Sequence, residues 1–351
     1  MRLDLRRGTE PGETRGELGA GGSATMAGVA ERAGVSIATA SRVFSGNPRV
    51  RPANRDRVLR AARELNYHVD ARARGLSLRR TGTIGFVLTN VGDPFFAEIL
   101  LGAEDAAAAA DYDILVSTTR ADPARERDAL TLLREHRVDG AVLMDARQPR
   151  GDERLLALSD FAIVLIDPLQ SNPSVSTIGM DNRLGGRLAA EHLIRLGHRR
   201  LAYLGRPGGD PNDHRLGGLR HAMATAGFDP ASIRTIVAEE DFDSAERATE
   251  ALLRSTSDVT ALVCYNDVMA VGALQGCRRL GRRIPDDVSI VGFDDIVLAR
   301  YLDPPLTTIR QPKYEIGYRA ITMVLDLLAR GSPQRVLLDG TLIERGSTAP
   351  P

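Results

Sequence analysis

Polar and aromatic side chains recur after short apolar stretches between residues 81 and 351 of this 351-residue chain. Carboxylates, amides and a guanidinium can form hydrogen bonds with hydroxyl groups, and aromatic rings can cover the C–H face of a small molecule. This mixture favours binding of a small polyol. The candidate binding residues are Asn90, Asp93, Phe95, Phe96, Arg215, Phe242, Asn266, Asp267 and Asp294.

The sequence lacks the common patterns of enzyme sites. It contains no GxGxxG after a strand, no GxxxxGK[ST] and no GxSxG. His214 and His221 are seven residues apart and no third metal ligand is evident. Cys264 and Cys277 have no zinc spacing and suit a reduced cytoplasmic protein. We therefore predict no catalytic residue, cofactor or metal, with a cytosolic α/β sugar-processing enzyme as the alternative class.

A second group of functional candidates consists of the arginines near the N-terminus. Residues 25–80 contain 12 basic and 4 acidic residues, and every basic one is arginine. Residues 81–351 contain 30 basic and 38 acidic residues, so the neutral chain has a basic segment and an acidic body. Arginine suits bidentate contacts with phosphate and guanine, which predicts a polyanionic partner for this segment. From charge alone, a solubilising surface is the alternative.

Helix signals divide the basic segment into three short helices. Apolar residues between 26 and 33 follow helical spacing, and Gly34 can end that helix in the left-handed conformation. Ser36 can cap a second helix from Ile37 to about residue 45, and Pro52 is suited to begin a third. The third helix is predicted to bury Val58, Ala62 and Leu65. Together these signals predict a helix-turn-helix.

The second helix of such a motif enters the major groove of DNA. Ile37, Ala38 and Arg42 are predicted to face outward, and Arg42 has two donors suited to guanine O6 and N7. Phosphate contact is the alternative for Arg42, and Ile37 and Ala38 either touch a thymine methyl or only fill space. The candidate phosphate contacts are Ser36, Thr39 and Asn54, of which Ser36 could be only a helix cap.

The remainder of the chain alternates short apolar strands with amphipathic helices, which is typical of doubly wound parallel sheets in an α/β protein. Helices are predicted around residues 96–110 and 184–196. The predicted strands are Thr83–Thr89, Ile114–Thr118, Gly140–Met144, Ile163–Ile166, Leu201–Gly205, Ile233–Ala238, Ala261–Cys264 and Ser289–Gly292. Eight strands are more than one compact lobe usually contains, so we expect two lobes. Residues 1–24 show no apolar periodicity and are predicted to be a disordered tail.

The sequence from Val29 to Val43 closely resembles the DNA-binding head of the LacI/GalR (lactose repressor) family. The resemblance covers roughly 320 residues in order. It includes Asp93-Pro94-Phe95-Phe96, Leu196-Gly197-His198-Arg199-Arg200, Asn266-Asp267, Ile284-Pro285-Asp286-Asp287-Val288 and Leu306-Thr307-Thr308-Ile309. Ordered matches of this extent are far more specific than a helix-turn-helix alone.

The resemblance implies an N-terminal helix-turn-helix head at 25–69, a hinge helix at 70–80 and a sensor domain at 81–351. The sensor resembles a periplasmic binding protein, with a first lobe of about 82–180 plus 310–335 and a second of about 181–309 plus 336–346. In the hinge, Leu76 occupies the position of a leucine that wedges into the minor groove, with Ala73 beside it. A plain linker is the alternative, and Asp70 and Gly75 depart from the family pattern.

The resemblance further implies a cytoplasmic repressor that binds an operator in double-stranded DNA as a homodimer. Its effector, expected to be a small sugar, would lie between the lobes, with a purine or nucleoside as the alternative. Asp267 matches the position at which the family reads its ligand, although it could also cap a helix. Asp294 either orders its loop or contacts the ligand.

Overall fold

The computed structural model describes residues 25–45, 47–67, 80–144, 161–167, 174–207, 213–256 and 258–351. The predicted tail and the hinge residues Ala73 and Leu76 lie outside the described residues. Contacts between Cα atoms divide the chain into two compact units, Met1–Thr81 and Gly82–Pro351. We call them the head and the body, and each is described by itself.

The head consists of α1 (Met26–Ala33), α2 (Ile37–Phe44) and α3 (Pro52–Glu64). The hydroxyl of Thr25 accepts a hydrogen bond from the Gly28 amide at 3.2 Å and caps α1. Gly34 ends α1 with φ of 62°, a conformation that glycine adopts without steric cost. The hydroxyl of Ser36 then accepts from the Thr39 amide at 3.2 Å and begins α2. These local signals produce the predicted helix-turn-helix.

The core of the head is small and built largely from alanine and valine. Its buried residues are Val29, Ala30, Ala33, Ala40, Val43, Val58, Ala61 and Ala62. The prediction that Leu65 belongs to this core was wrong, because its side chain is 37% exposed. Helix α3 ends at Glu64, so Leu65 falls outside the helix and Ala61 contributes to the buried face instead.

The body contains two six-stranded sheets, each in its own lobe. The first lobe comprises β1 (Thr83–Leu88), α4 (Pro94–Ala108), β2 (Asp113–Thr118), α5 (Pro123–Glu135), β3 (Gly140–Met144), β4 (Ala162–Ile166), β5 (Ser176–Met180), α10 (Lys313–Leu328) and β11 (Arg335–Leu338). Its strand order is β11-β5-β4-β3-β1-β2, and all of its pairings are parallel. Its apolar strands pack against α4 and α10 on one face.

The second lobe has the same architecture, with one antiparallel edge strand. It comprises α6 (Asn182–Leu196), β6 (Leu201–Gly205), α7 (His214–Thr225), β7 (Arg234–Val237), α8 (Phe242–Ser255), β8 (Ala261–Cys264), α9 (Asp267–Arg279), β9 (Ser289–Asp294), β10 (Thr307–Arg310) and β12 (Thr341–Ile343), with 3₁₀ turns at Pro230–Ser232 and Val297–Arg300. Its strand order is β12-β10-β9-β8-β6-β7, and only the β10–β12 pair is antiparallel.

The chain passes between the lobes three times: after β5, after β10 and after β11. Residues 335–338 belong to the first sheet, since β11 pairs with β5 in a register that places Arg335 opposite Thr177. The chain was expected to return to the second lobe at residue 336, but it does so only after β11 ends at Leu338. Within the described ranges, no helix is both long and apolar enough to cross a membrane.

Helices α4 and α10 approach closely because glycines face each other's backbone. A Cβ atom added to Gly102 would lie 2.1 Å from the Tyr314 carbonyl oxygen, and one added to Gly317 would lie 1.8 Å from the Ile99 carbonyl oxygen. Neither position accommodates a larger side chain without separating the helices. The contact holds the start of α10, which immediately follows the second crossover, against the first lobe.

Candidate effector cavity and nucleic-acid interface

A cavity of about 810 Å³ lies between the lobes, at the carboxyl ends of strands from both sheets. This is the usual position of ligand sites in open α/β sheets. Seven of the predicted binding residues line it: Asn90, Asp93, Phe95, Phe96, Arg215, Asn266 and Asp294. The structure therefore brings together residues that are up to about 200 positions apart in the chain.

The first-lobe wall is formed where β1 leads into α4. Asp93 caps α4, and its Oδ1 accepts a hydrogen bond from the Phe95 amide at 2.9 Å. Burial raises the pKa of the Asp93 carboxyl, an effect partly opposed by this hydrogen bond. The rings of Phe95 and Phe96 meet edge to face, with centroids 5.2 Å apart. This wall thus offers a carboxyl group beside aromatic surface.

Arg215 supplies a rigidly held cation from the second lobe. Its Nε donates to Asn182 Oδ1 at 2.8 Å, and its Nη1 donates to the Tyr265 carbonyl oxygen. The guanidinium carbon lies 3.8 Å from the ring centroid of Phe293 and 4.3 Å from that of Tyr265. Stacking of this kind is favourable for arginine and restricts its rotamers. The guanidinium is therefore oriented before any ligand arrives.

Asp294 ends β9 and places a second carboxyl group at the cavity. Its Oδ1 accepts a hydrogen bond from Gln311 Nε2 at 2.6 Å. Burial raises the pKa of Asp294 well above its ordinary value, and the nearby charge of Arg215 opposes that rise. Hydroxyl groups of a ligand can bond to such a carboxyl group in either protonation state.

In the head, α2 presents its predicted outward face to solvent. Ile37 is 56% exposed, Ala38 and Arg42 are also exposed, and Ala40 and Val43 form the buried side. The outward face can therefore enter a groove of DNA.

The candidate phosphate contacts lie at the starts of α2 and α3. Ser36 caps α2, and its hydroxyl is 2.9 Å from the Thr39 hydroxyl. Asn54 is half-buried, and its Oδ1 accepts from Arg57 Nη2 at 2.7 Å. The three groups are thus already involved in hydrogen bonds within the head.

Comparisons with known proteins match both units. Residues 25–70 match the family model of bacterial regulatory proteins of the lacI family, and residues 190–348 match a periplasmic binding protein-like domain. The ribose operon repressor of Haemophilus influenzae is 36% identical over 331 residues, which cover 92% of this chain and 98% of the relative. The chain belongs to the LacI family.

Solved structures of the family agree with this membership. A lac repressor dimer bound to operator and the anti-inducer ONPF has a TM-score of 0.83 at 27% identity, with 93% of this chain and 100% of that chain covered. The transcriptional regulator CelR in complex with cellobiose has a TM-score of 0.70 at 31% identity, with 92% and 99% covered. This LacI-family chain is therefore a DNA-binding regulatory protein and not an enzyme.

Asp267 is not placed at the cavity, contrary to the expectation for this family member. Its side chain is fully buried, Oδ1 accepts from the Thr308 hydroxyl at 2.6 Å, and Oδ2 accepts from the Ile296 amide at 2.9 Å. Nor does it cap α9, because Asn266 does so by accepting from the Met269 amide at 2.8 Å. Asp267 instead supports the backbone directly after Asp294.

Phe242 is also absent from the cavity lining among the described residues. It is the first residue of α8, which follows the edge strand β7, and its side chain is 46% exposed. Glu239 and Glu240, between β7 and α8, do line the cavity, whereas Phe242 is the first helical residue and is exposed.

The structure adds cavity residues that sequence reasoning missed. Arg120, Arg206 and Glu240 line the cavity, and Arg206 Nη1 lies 3.2 Å from Glu240 Oε1. Each follows the carboxyl end of a strand: β2, β6 and β7, respectively. The rule that identified the other candidates could have found these three as well.

Proposed function

We propose that this LacI-family protein represses transcription by binding an operator as a homodimer, and that a small sugar in the cavity controls its affinity for DNA. The observation that carries the effector proposal is the convergence of Asp93, Arg215 and Asp294 with two phenylalanine rings in one cavity between the lobes. Carboxyl and guanidinium groups recognise hydroxyls, and the rings cover a C–H face. The transcriptional regulator CelR in complex with cellobiose is a similar protein with a bound sugar.

Within the cavity, we assign Arg215 and Asp294 to hydrogen bonds with sugar hydroxyls from the second lobe. Asp93 and Asn90 serve the same purpose from the first lobe, and Asn266 adds an amide beside α9. Phe95 or Phe96 supplies the apolar contact. A ligand that bonds to both walls favours their approach, because its contacts are complete only in the closed arrangement.

At the operator, we assign Arg42 to a guanine edge and Ile37 and Ala38 to neighbouring bases in the major groove. The residues assigned to the DNA backbone are Ser36, Thr39 and Asn54. In the hinge, Ala73 and Leu76 are proposed to enter the minor groove, with Leu76 as the wedge. The site of action is the cytoplasm, where the operator is accessible.

Effector control follows from linkage between the two sites. The lobes have one arrangement that suits operator-bound hinges and another that the effector favours. If the effector binds the second arrangement more tightly, operator affinity falls by the free energy of that preference. Typical couplings are about 1–3 kcal/mol, or about 5- to 150-fold in affinity. We propose release of the operator as the response, which makes the effector an inducer.

Binding of the purified chain to DNA from upstream of its own gene tests this function. Affinity is measured at constant salt, with and without pentoses, hexoses, disaccharides, nucleosides and purine bases. We expect specific binding that one sugar weakens. Release by a nucleoside or purine base would replace the sugar assignment, and binding only in the presence of a compound would reverse the response. If the chain binds this DNA specifically under none of these conditions, the assignment as a repressor is overturned.

A pair of matched variants connects the response to the cavity. Asp294→Asn alters a carboxyl group in the cavity lining, and we expect it to abolish or strongly weaken the response to the sugar. Asp243→Asn makes the same change on the exposed surface of α8 and should retain the wild-type response. Equal responses in the two variants would contradict the assignment of the cavity.

A further inference from the structure

The turn that presents Asp294 to the cavity has an unusual backbone. Asp294 has φ of 119° and Asp295 has φ of 52°, so two consecutive residues with side chains lie in the region that favours glycine. Such conformations are costly and persist only where surrounding contacts impose them. The position of the Asp294 carboxyl group at the cavity therefore depends on the contacts that hold residues 294–296.

Several contacts from the second lobe hold the side chains and amides of this turn. The carboxylate of Asp295 is paired with Arg310 Nε at 2.7 Å and with Arg345 Nη2 at 2.5 Å. The Asp295 amide donates to Thr308 Oγ1 at 3.4 Å, and the Ile296 amide donates to buried Asp267. These contacts anchor the side chains and amides of the turn within its own lobe.

The carbonyl groups of residues 294 and 295 contact Lys313, the first residue of α10, whose side chain is only 2% exposed. Its Nζ donates to the Asp294 carbonyl oxygen at 2.5 Å and to the Asp295 carbonyl oxygen at 2.9 Å. The same nitrogen lies 3.3 Å from Glu98 Oε2 on α4. An ammonium group has three donors, and these three oxygens can satisfy all of them.

The arrangement spans both lobes. The two carbonyl groups belong to the second lobe, whereas Glu98 and the rest of α10 belong to the first lobe, where α10 packs tightly on α4. A buried ammonium group is strongly unfavourable unless it is paired and hydrogen-bonded. Movement of the turn relative to α4 must therefore stretch or break one of the Lys313 contacts.

We infer that Lys313 is a positioning residue for effector recognition. It holds the strained turn so that the Asp294 carboxyl group faces the cavity, and its pairing with Glu98 transmits displacement of that turn to α4. The support of the turn stands on the geometry alone, whereas the transmission rests on the proposed function. No direct contact between Lys313 and the effector is required.

Hydrogen exchange of the full, effector-free chain tests the support of the turn. Lys313→Met removes the ammonium group and leaves two buried carbonyl groups without it, so we expect amide exchange in residues 295–297 to accelerate by about tenfold or more. Lys313→Gln keeps two donors on a shorter side chain and should fold and accelerate exchange less. Wild-type exchange in both variants would overturn the inference.

Glu98→Gln tests the transmission separately, because the two carbonyl contacts of Lys313 remain. We expect wild-type exchange in the turn but at least about a fivefold smaller effect of the effector on operator affinity. Glu104→Gln makes the same change at an exposed position of α4 and should behave like the wild type. An unchanged effector response in Glu98→Gln would overturn the transmission. Failure to find any effector would refute the proposed function. The exchange experiment needs no effector, so it would still decide whether Lys313 supports the turn.

Discussion

At the scale of single residues, the neighbours Asn266 and Asp267 show what a sequence motif leaves open. Both follow a buried strand, so the sequence predicted both at the cavity. In the structure, Asn266 lines the cavity and caps α9, while Asp267 turns into the protein toward Thr308 and Ile296. The direction of the Asp267 side chain depends on β10 and on the turn after β9, which lie about 30 to 40 residues further along the chain.

The buried carboxyl group of Asp267 yields a prediction for stability against pH. Burial raises its pKa from 3.8 to about 7. Between these values the folded protein binds a proton that the unfolded chain has released, so stability decreases as pH rises toward and through about 7. Asp267→Asn cannot ionise, and its amide oxygen can accept the Ile296 bond. We therefore expect its melting temperature to rise relative to that of the wild type between about pH 5 and about pH 8.

Differential scanning calorimetry of both proteins across this range provides the measurement. Titrating groups distant from Asp267 are common to the two chains and cancel in the difference between their melting temperatures, whereas Asp294 and Asp295 interact with Asp267 and contribute to that difference. A difference that stays constant with pH, or that favours the wild type as pH rises, would contradict ionisation of Asp267 in its buried site.

At the scale of elements, the helices of the head were predictable because their signals are local. Gly34, Ser36 and Pro52 each act within one turn of the helix that they end or begin. Leu65 was predicted wrongly because apolar spacing continues past the point at which the hydrogen-bonded helix stops. The close contact between α4 and α10 was not predictable, since Gly102 and Gly317 meet across more than 200 residues of sequence.

The exposed face of α2 leads to a prediction about DNA specificity. Replacing Arg42 by alanine should remove about 1–3 kcal/mol of discrimination between operator and unrelated DNA, because one bidentate base contact is lost. Salt-sensitive binding to any DNA should remain. Arg60→Ala removes the same charge from α3, and it should leave the ratio of specific to non-specific affinity unchanged. Fluorescence anisotropy with operator and scrambled duplexes at several salt concentrations measures this ratio, and equal ratios in the two variants would refute base reading by Arg42.

At the scale of the whole molecule, the alternation of apolar strands and helices was sufficient to predict two parallel doubly wound lobes. The third crossover was expected at residue 336, which is too early, and β5 was not predicted as a strand. The short strands β10, β11 and β12 also escaped prediction, because strands of three or four residues have little periodicity of their own. Their place depends on pairing with β5 and β9, which is tertiary information. This pairing also determines how the Lys313 segment reaches the first lobe.

Three large apolar side chains that follow β9 in the second lobe are exposed, and a monomer would leave them in water. Val297, Leu298 and Tyr301, in and directly after a 3₁₀ turn, are 60%, 38% and 75% exposed. Exposed apolar side chains close together in sequence are candidates for an association site, and a twofold dimer would bury the same residues on both copies. We therefore expect Tyr301→Asp to weaken the homodimer by placing a charge in an interface that excludes water.

Sedimentation velocity across a range of protein concentrations measures the change. Tyr301→Phe keeps the apolar ring and should remain dimeric, while Val237→Asp introduces the same charge on the edge strand β7, which lies at the far side of the second sheet from β10 and β12. If Tyr301→Asp is a monomer and the two controls are dimers, Tyr301 lies in the dimer interface. The same variant should then bind an operator with two half-sites more weakly than the wild type does, with a smaller loss for a single half-site. A dimer of unchanged strength in Tyr301→Asp would move the interface to another surface.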